Sequence, residues 1–201
     1  MSEVAALVLA AGRASRFGAG DDDSKVLALI DGKPLVRHVV EAALASRARP
    51  VIVVAGHAGG KVCAALDGLP VQIVDNPDYA AGMSGSLQRG VAALPQGCGG
   101  AVVLLADMPR VSAAIIDRLI AAFEDGAVRP AAVAPTFGGK RGNPALIGGA
   151  LFAALAHLSG DVGARALLQG ADVREIAVDD DGVLVDVDTR ESLARLQAGE
   201  A

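Results

Sequence analysis

The sequence predicts an α/β fold, a single domain built on a mostly parallel sheet. Short apolar runs recur at Val4–Ala10, Pro50–Ala55 and Ala101–Ala106, and each stops at a glycine or a polar residue, as buried parallel strands do. Longer stretches with helical spacing separate them, which implies right-handed βαβ units. Of 201 residues, 52% are hydrophobic and 20% charged, enough apolar material for a core and too little charge for disorder. Only 2% are aromatic, so that core is Ala, Val, Leu and Ile, and a site that grips bases by aromatic stacking is not expected.

In chain order, Val4–Ala10 is the opening strand and Gly12–Lys25 a polar, glycine-rich loop. Pro34–Ala45 reads as a helix with Pro34 in its first turn. Pro50–Ala55 is the second strand, Gly60–Leu66 a short helix and Val71–Val74 a third strand. Asp75–Gly82 is a loop before a helix over Ser84–Leu94. Ala101–Ala106 is a central strand ending at Asp107, and Ser112–Phe123 a helix with Ser112 as its N-cap. Ala131–Pro135 is a further strand, followed by a glycine-rich turn over 138–144 and a short apolar run, Ala145–Ile147. Short helices are expected near Ala150–His157 and Gly163–Gln169. Val173–Val178 and Gly182–Val187 flank Asp179-Asp-Asp-Gly182 and read as a hairpin, and Thr189–Leu196 closes the chain as a helix. No linker or fixed-period repeat divides residues 1–201, which split only loosely into halves at 1–110 and 111–201.

A net charge of −5 argues against a nucleic-acid surface that tracks phosphates. No apolar stretch reaches the ~20 residues that cross a bilayer, and the N-terminus lacks the basic region of a signal peptide. Cys63 and Cys98 have no paired spacing, which excludes a disulfide framework or a CxxC site. A cytoplasmic protein with no nucleic-acid or membrane partner is expected.

Five segments can carry chemistry. Leu9-Ala-Ala-Gly-Arg-Ala-Ser-Arg-Phe-Gly18 leaves the first strand at the edge where open α/β sheets bind ligands, and Lys25 follows. Small residues let a phosphate approach backbone N–H groups, and Arg13, Arg16 and Lys25 add cations, a grouping suited to a triphosphate. An ordinary βα turn carries the same residues, and neither a Walker loop nor GxGxxG is present. Asp107 ends a buried strand, where a carboxylate suits Mg²⁺ or simply a turn before Pro109. Asp186 and Asp188 alternate as on a strand, and Asp188 either joins Asp107 on a metal or caps the last helix. Gly82, Ser84 and Ser86 begin a helix whose free N–H groups and hydroxyls can meet a base edge or a phosphate. Gly139-Lys-Arg-Gly-Asn-Pro144 and Gly160-Asp-Val-Gly-Ala-Arg165 offer arginines for a second, anionic substrate. His38, His57 and His157 are scattered, and no triad or metal-spaced histidine pair is present.

Taken in order, LAAGRASRFG with Lys25, NPDYAAGMSGSL, LLADMP, GGKRGNPALI, GDVGAR and DVDT resemble the molybdenum cofactor cytidylyltransferases of the MobA-like nucleotidyltransferase superfamily. The resemblance runs from Val4 to Leu196. It implies a Rossmann-like three-layer α/β/α fold and transfer of CMP from CTP to the terminal phosphate of the molybdopterin cofactor. The products are molybdopterin cytosine dinucleotide and pyrophosphate.

By the same resemblance, Leu9, Ala10, Ala11, Gly12, Arg13 and Arg16 with Lys25 hold the triphosphate, and Gly82, Ser84 and Ser86 face the base. Asp107 and Asp188 bind Mg²⁺, and Arg141 and Asn143 meet the pterin. Arg16, Lys25 and Asp107 carry catalysis, and a molybdenum hydroxylase receives the product. The sequence departs from the family at the insert Ala19–Ser24, at Phe17 for Met, at Gly85 for Ser and at Asn143 for His. Two alternatives share the opening strand and turn: a nucleotidyltransferase using GTP or a sugar phosphate, and a NAD(P)-dependent oxidoreductase.

Overall fold

The structure, a computed structural model, describes residues 4–12, 17, 24–158, 160, 163, 168–169 and 172–199. Its strands are β1 (Val4–Ala10), β2 (Leu29–Ile30), β3 (Lys33–Pro34), β4 (Val51–Ala55), β5 (Gln72–Asp75), β6 (Gly100–Leu105), β7 (Ala132–Phe137), β8 (Lys140–Arg141), β9 (Ala145–Gly148) and β10 (Val173–Ala177). Its α-helices are α1 (Leu35–Ala45), α2 (Gly59–Ala65), α3 (Met83–Ala92), α4 (Ala113–Glu124), α5 (Phe152–Leu155) and α6 (Arg190–Gln197).

The main sheet runs in the order β10-β7-β9-β6-β1-β4-β5, with β8 paired to the far end of β7. β1 lies between β4 and β6, parallel to both, which is why all seven of its residues are buried and read as one unbroken apolar run. β9 is antiparallel to β6 and to β7, a reversal inside an otherwise parallel set. From β1 the chain goes outward to β4 and β5, then returns to β6 on the other side. The split between β1 and β6 is therefore a topological switch point, where open α/β sheets leave a crevice at the carboxyl ends of the strands.

The two faces of the sheet carry separate cores. Ala6, Val8, Val53, Val102, Leu104 and Val133 pack with buried residues of α1, α2 and α4. Leu7, Leu9, Ile52, Val54, Val103 and Ile147 point the other way and pack with Leu87 of α3 and Leu155 of α5. The alternation follows from the period of two along each strand. It gives the three layers that the resemblance implied. A third, smaller cluster joins Ile30, Leu35, Phe17 and Val187, with Leu193 and Leu196 of α6 against it.

Local chemistry explains the helix ends. Ser112 Oγ accepts from the Ile115 amide at the start of α4, as its position in the sequence predicts. α6 begins on a capping box between Thr189 and Ser192, so Thr189 is the cap and Asp188 is left out of that role.

Three expectations are corrected. Asp181–Leu184 is a 3₁₀ turn and not the second strand of a hairpin, because β10 finds a parallel partner in β7. The hairpin of this half is instead β7–β8, closed by Gly138 and Gly139. Residues 185–188 lie outside any strand, so Asp186 and Asp188 do not share a sheet face. His157 sits in a turn just beyond α5. The helix expected near Gly163–Gln169 falls largely outside the described residues.

Candidate functional site

The first strand sets one wall of the crevice. Leu9, Ala11 and Gly12 line a cleft of about 390 Å³ together with Lys25, Val26, Tyr79, Gly82, Ser86 and Asp107. Ala10, expected beside them, packs in the core on the α1–α4 side and is not among the residues that line the cleft. Arg13 and Arg16 lie outside the described residues.

Asp107 stands at the opposite wall. β6 ends at Leu105, in register with Leu9, and the Ala106 amide donates to the Leu9 carbonyl at 3.1 Å. A turn closed by the Met108 amide on the Leu105 carbonyl then aims the next side chain back over the cleft. The Val187 amide donates to the Asp107 carbonyl at 2.9 Å, which brings the segment before α6 alongside. Lys25 closes the group, with Nζ 2.5 Å from Asp107 Oδ2 and 2.6 Å from Asp188 Oδ1. Residues 107 and 188, which the sequence suggested as a pair, are thus bridged by one ammonium.

The electrostatics follow from this arrangement. Burial disfavours the Lys25 ammonium, but the charges and hydrogen bonds of Asp107 and Asp188 outweigh it and hold its pKa above the ordinary value. Partial burial, then the charges of Asp188 and Asp107, push the Asp186 carboxyl above the ordinary carboxylate range. Asp107 Oδ1 is buried and has no hydrogen-bond partner among the described residues, while Oδ2 is taken by Lys25. A buried carboxylate oxygen left open beside a second carboxylate is a donor set that suits a hard divalent cation. Among the described residues no group of three or more His, Cys, Asp or Glu side chains gathers as a metal site, so such a cation would take most of its ligands from elsewhere.

The helix-start segment forms the third wall. Gly82 adopts φ 115° and ψ 176°, a conformation that favours glycine, and opens α3. Ser86 lines the cleft and its Oγ accepts from Asn76 Nδ2 at 3.0 Å. Ser84 is buried, its amide donates to the Gly160 carbonyl at 3.2 Å, and it is not among the residues that line the cleft. A Cβ at Gly85 would meet only Asn76 Nδ2, at 3.7 Å, so the family's usual serine would fit there.

Tyr79 also lines the cleft, and Asn76 and Gly56 lie behind this wall, three residues to which the sequence alone assigns no role. Asn76 is fully buried, and its Oδ1 also accepts from the Asp78 amide at 3.2 Å. Gly56 leaves room for Ala11 and Tyr79 to approach, since a Cβ there would lie 2.8 Å from the Ala11 Cβ and 2.7 Å from the Tyr79 Cβ. The chain's one tyrosine therefore borders the cleft, with His57 tilted against it at 5.7 Å between ring centres. A buried Asn two residues before an Asp, ahead of a glycine-led helix, is the signal that could have flagged residue 76.

Beside the cleft lies a second cavity of about 230 Å³ that shares Leu9, Met83 and Leu105 with it. Arg141, Gly142 and Asn143 line it, as expected of a second-substrate loop. The Asn143 amide donates to the Val183 carbonyl at 2.8 Å, and a Cβ on Gly142 would collide with that carbonyl, which fixes glycine at the crossing. Arg141 is held by Glu175, with Nε and Nη2 donating to Oε1 at 2.9 and 2.5 Å. Of the other arginine-bearing loop, Gly160 and Gly163 are described and Arg165 is not. Among the described residues no helix is long and apolar enough to cross a membrane.

Comparisons with known proteins show the family. The model of the MobA-like NTP transferase domain matches residues 6–177. Nicotine blue oxidoreductase of Paenarthrobacter nicotinovorans is 33% identical over 199 residues, 96% of either chain. A homologue of Mycobacterium tuberculosis Rv0371c, from Mycobacterium sp. strain JC1, has a solved structure with TM-score 0.82 and 29% identity, covering 98% of this chain and 96% of that one. Rv0371c of Mycobacterium tuberculosis H37Rv, solved in complex with manganese, gives TM-score 0.79 and 27% identity, covering 98% and 99%. A mostly parallel central sheet, matched by this family over residues 6–177, makes the chain a MobA-like nucleotidyltransferase.

Proposed function

We propose that the protein is a Mg²⁺-dependent cytidylyltransferase that moves CMP from CTP to the terminal phosphate of a molybdopterin cofactor. The observation that carries this reading is the Lys25 bridge between Asp107 and Asp188, with Asp107 Oδ1 open, at the rim of a cleft walled by Leu9, Ala11 and Gly12. Asp107 and Asp188 would hold the divalent cation, which when bound neutralises charge on the nucleotide phosphates. The solved manganese complex of Rv0371c supports a divalent cation in a relative of this shape.

An oxygen of the acceptor phosphate attacks the α-phosphorus of CTP, and the bond to the β-phosphate oxygen breaks, releasing pyrophosphate. The attacking phosphate is already an anion, so no strong general base is needed, in keeping with the lack of a histidine among the cleft-lining residues. The work left to the chain is alignment and charge. Lys25 turns from the carboxylates toward the phosphates and stabilises the leaving pyrophosphate, with Arg16 as its partner. The backbone of 10–12 and Arg13 cradles the triphosphate, Gly82 and Ser86 face the base, and Arg141 and Asn143 meet the pterin.

A second reading, a NAD(P)-dependent oxidoreductase, is favoured by one observation, the name and near-complete coverage of the nicotine blue oxidoreductase relative. Calorimetric titration with CTP, GTP, ATP, UTP and NADPH, each with and without Mg²⁺, separates the two. Mg²⁺-dependent binding of CTP above the rest is expected. A preference for GTP would keep the chemistry and change the product, and binding of NADPH alone would overturn the cytidylyl reading.

A further inference from the structure

The cavity beside the nucleotide cleft has walls of Leu9, Val103, Leu105 and Leu168, with Arg141 the one charged side chain among its described lining residues. An unpaired guanidinium there would draw anions into a low-dielectric recess. It is not unpaired. Arg141 on β8 sits opposite Thr136 of β7, and Glu175 on β10 sits opposite Ala134. Positions 134 and 136 share a sheet face, the same face as Ala132, which packs with Leu9 and Val103. Glu175 therefore reaches across β7 from the cavity's own side and takes both Arg141 Nε and Nη2 on Oε1. Glu175 does not itself line the cavity. Both side chains are partly exposed, at 32% and 48%, so the pair adds little to stability. Its consequence is for the charge of the wall.

We propose that Glu175 is a specificity-determining positioning residue: by pairing with Arg141 it cancels the charge that Arg141 gives this wall of the cavity, so that the wall favours uncharged ring systems over anionic ones. Arg141 then offers its remaining N–H groups to a neutral polar edge and not to a carboxylate or phosphate. The inference rests on reading this cavity as the acceptor side, but the probes that test it are not nucleotides.

The probes are quinoxaline-2-carboxamide and quinoxaline-2-carboxylate, alike in shape and different in charge, titrated calorimetrically into the full chain. The wild type is expected to prefer the amide. Glu175→Gln should bind the carboxylate about twofold to fivefold more tightly and leave the amide unchanged, the size expected of one partly exposed charge. Glu175→Asp should restore the wild-type ratio, and Arg141→Gln, which leaves Glu175 alone, should shift the ratio further toward the amide. An unchanged ratio in Glu175→Gln, a gain that survives in the Arg141→Gln/Glu175→Gln double variant, or no binding of either probe to wild type and Glu175→Gln would overturn the proposal. A parallel titration with CTP and Mg²⁺ should be the same in wild type, Glu175→Gln and Glu175→Asp. If CTP fails to bind while the probe ratios shift as described, the cytidylyl reading falls and the role of Glu175 stands.

Discussion

The Val187 amide donates to the Asp107 carbonyl at 2.9 Å, and this bond carries Asp188 to the end of the central strand. Val187 is fully buried among Ile30, Leu35 and Phe17, so the segment is anchored by packing as well as by the backbone. Two acidic residues 81 positions apart thereby flank one lysine.

Replacing the central carboxylate should abolish turnover and spare the fold. Asp107→Ala removes one of the two carboxylates proposed to hold the cation, a loss of electrostatic stabilisation of about 3 kcal/mol, or 10²-fold or more in kcat. Pyrophosphate release from CTP with the pterin acceptor is the assay. Near-normal turnover would remove Asp107 from the mechanism.

The lysine bridge should leave a signature at high pH. The folded state holds the Lys25 pKa above its ordinary value of 10.5, so the folded protein keeps this proton longer than the unfolded chain does. Its contribution is complete below the unfolded pKa and fades as pH rises through the folded one. Denaturant unfolding of wild type and Lys25→Met should show a constant gap from pH 7 to about pH 10 and a narrowing gap above it. A gap that widens with pH in that upper range would contradict the bridge.

Ser24, next to Lys25 in the chain, carries the other buried side-chain oxygen without a partner among the described residues. Its Oγ caps nothing. Ser24→Ala removes a buried unsatisfied hydroxyl and should raise stability by about 1 kcal/mol. A clear loss of stability in urea would mean that the hydroxyl is satisfied in solution.

Asn76→Ala should act on stability and base selection together. It strands the Ser86 hydroxyl and the Asp78 amide, at a cost of about 1–3 kcal/mol. The ratio of CTP to GTP affinity should fall as well, because Ser86 loses its anchor. Unaltered unfolding and an unaltered ratio would show that the amide is dispensable.

Gly142→Ala probes the crossing that seats Asn143. The added methyl meets the Val183 backbone, which cannot rotate away, so a loss of about 1–3 kcal/mol is expected. Thermal melting measures it, and an unshifted midpoint would show that the 181–188 segment yields freely.

Much of this was legible in the chain itself. Val4–Ala10 announces a strand buried on both faces because every position must be apolar there, and Ser112 announces a helix start because its hydroxyl can reach an amide three residues on. Asp107 was legible as a strand-end carboxylate. The error at Asp179–Gly182 arose because an acidic turn between two β-branched runs looks the same whether or not the runs pair with each other. Val173–Ala177 instead pairs with Ala132–Thr136, some forty residues earlier.

The sequence by itself determined the α/β class, the order of elements, the strand ends that carry the small residues and Asp107, and the family, since these depend on local periodicity and on motifs contiguous in the chain. Only the tertiary structure decided that Lys25 bridges Asp107 and Asp188, that Asn76 seats Ser86 and that Glu175 neutralises Arg141. Those pairings join residues from 10 to 163 positions apart. The Lys25 and Arg141 pairings depend on sheet order and register, which arise from burying two faces at once and leave no mark in the spacing of any single segment.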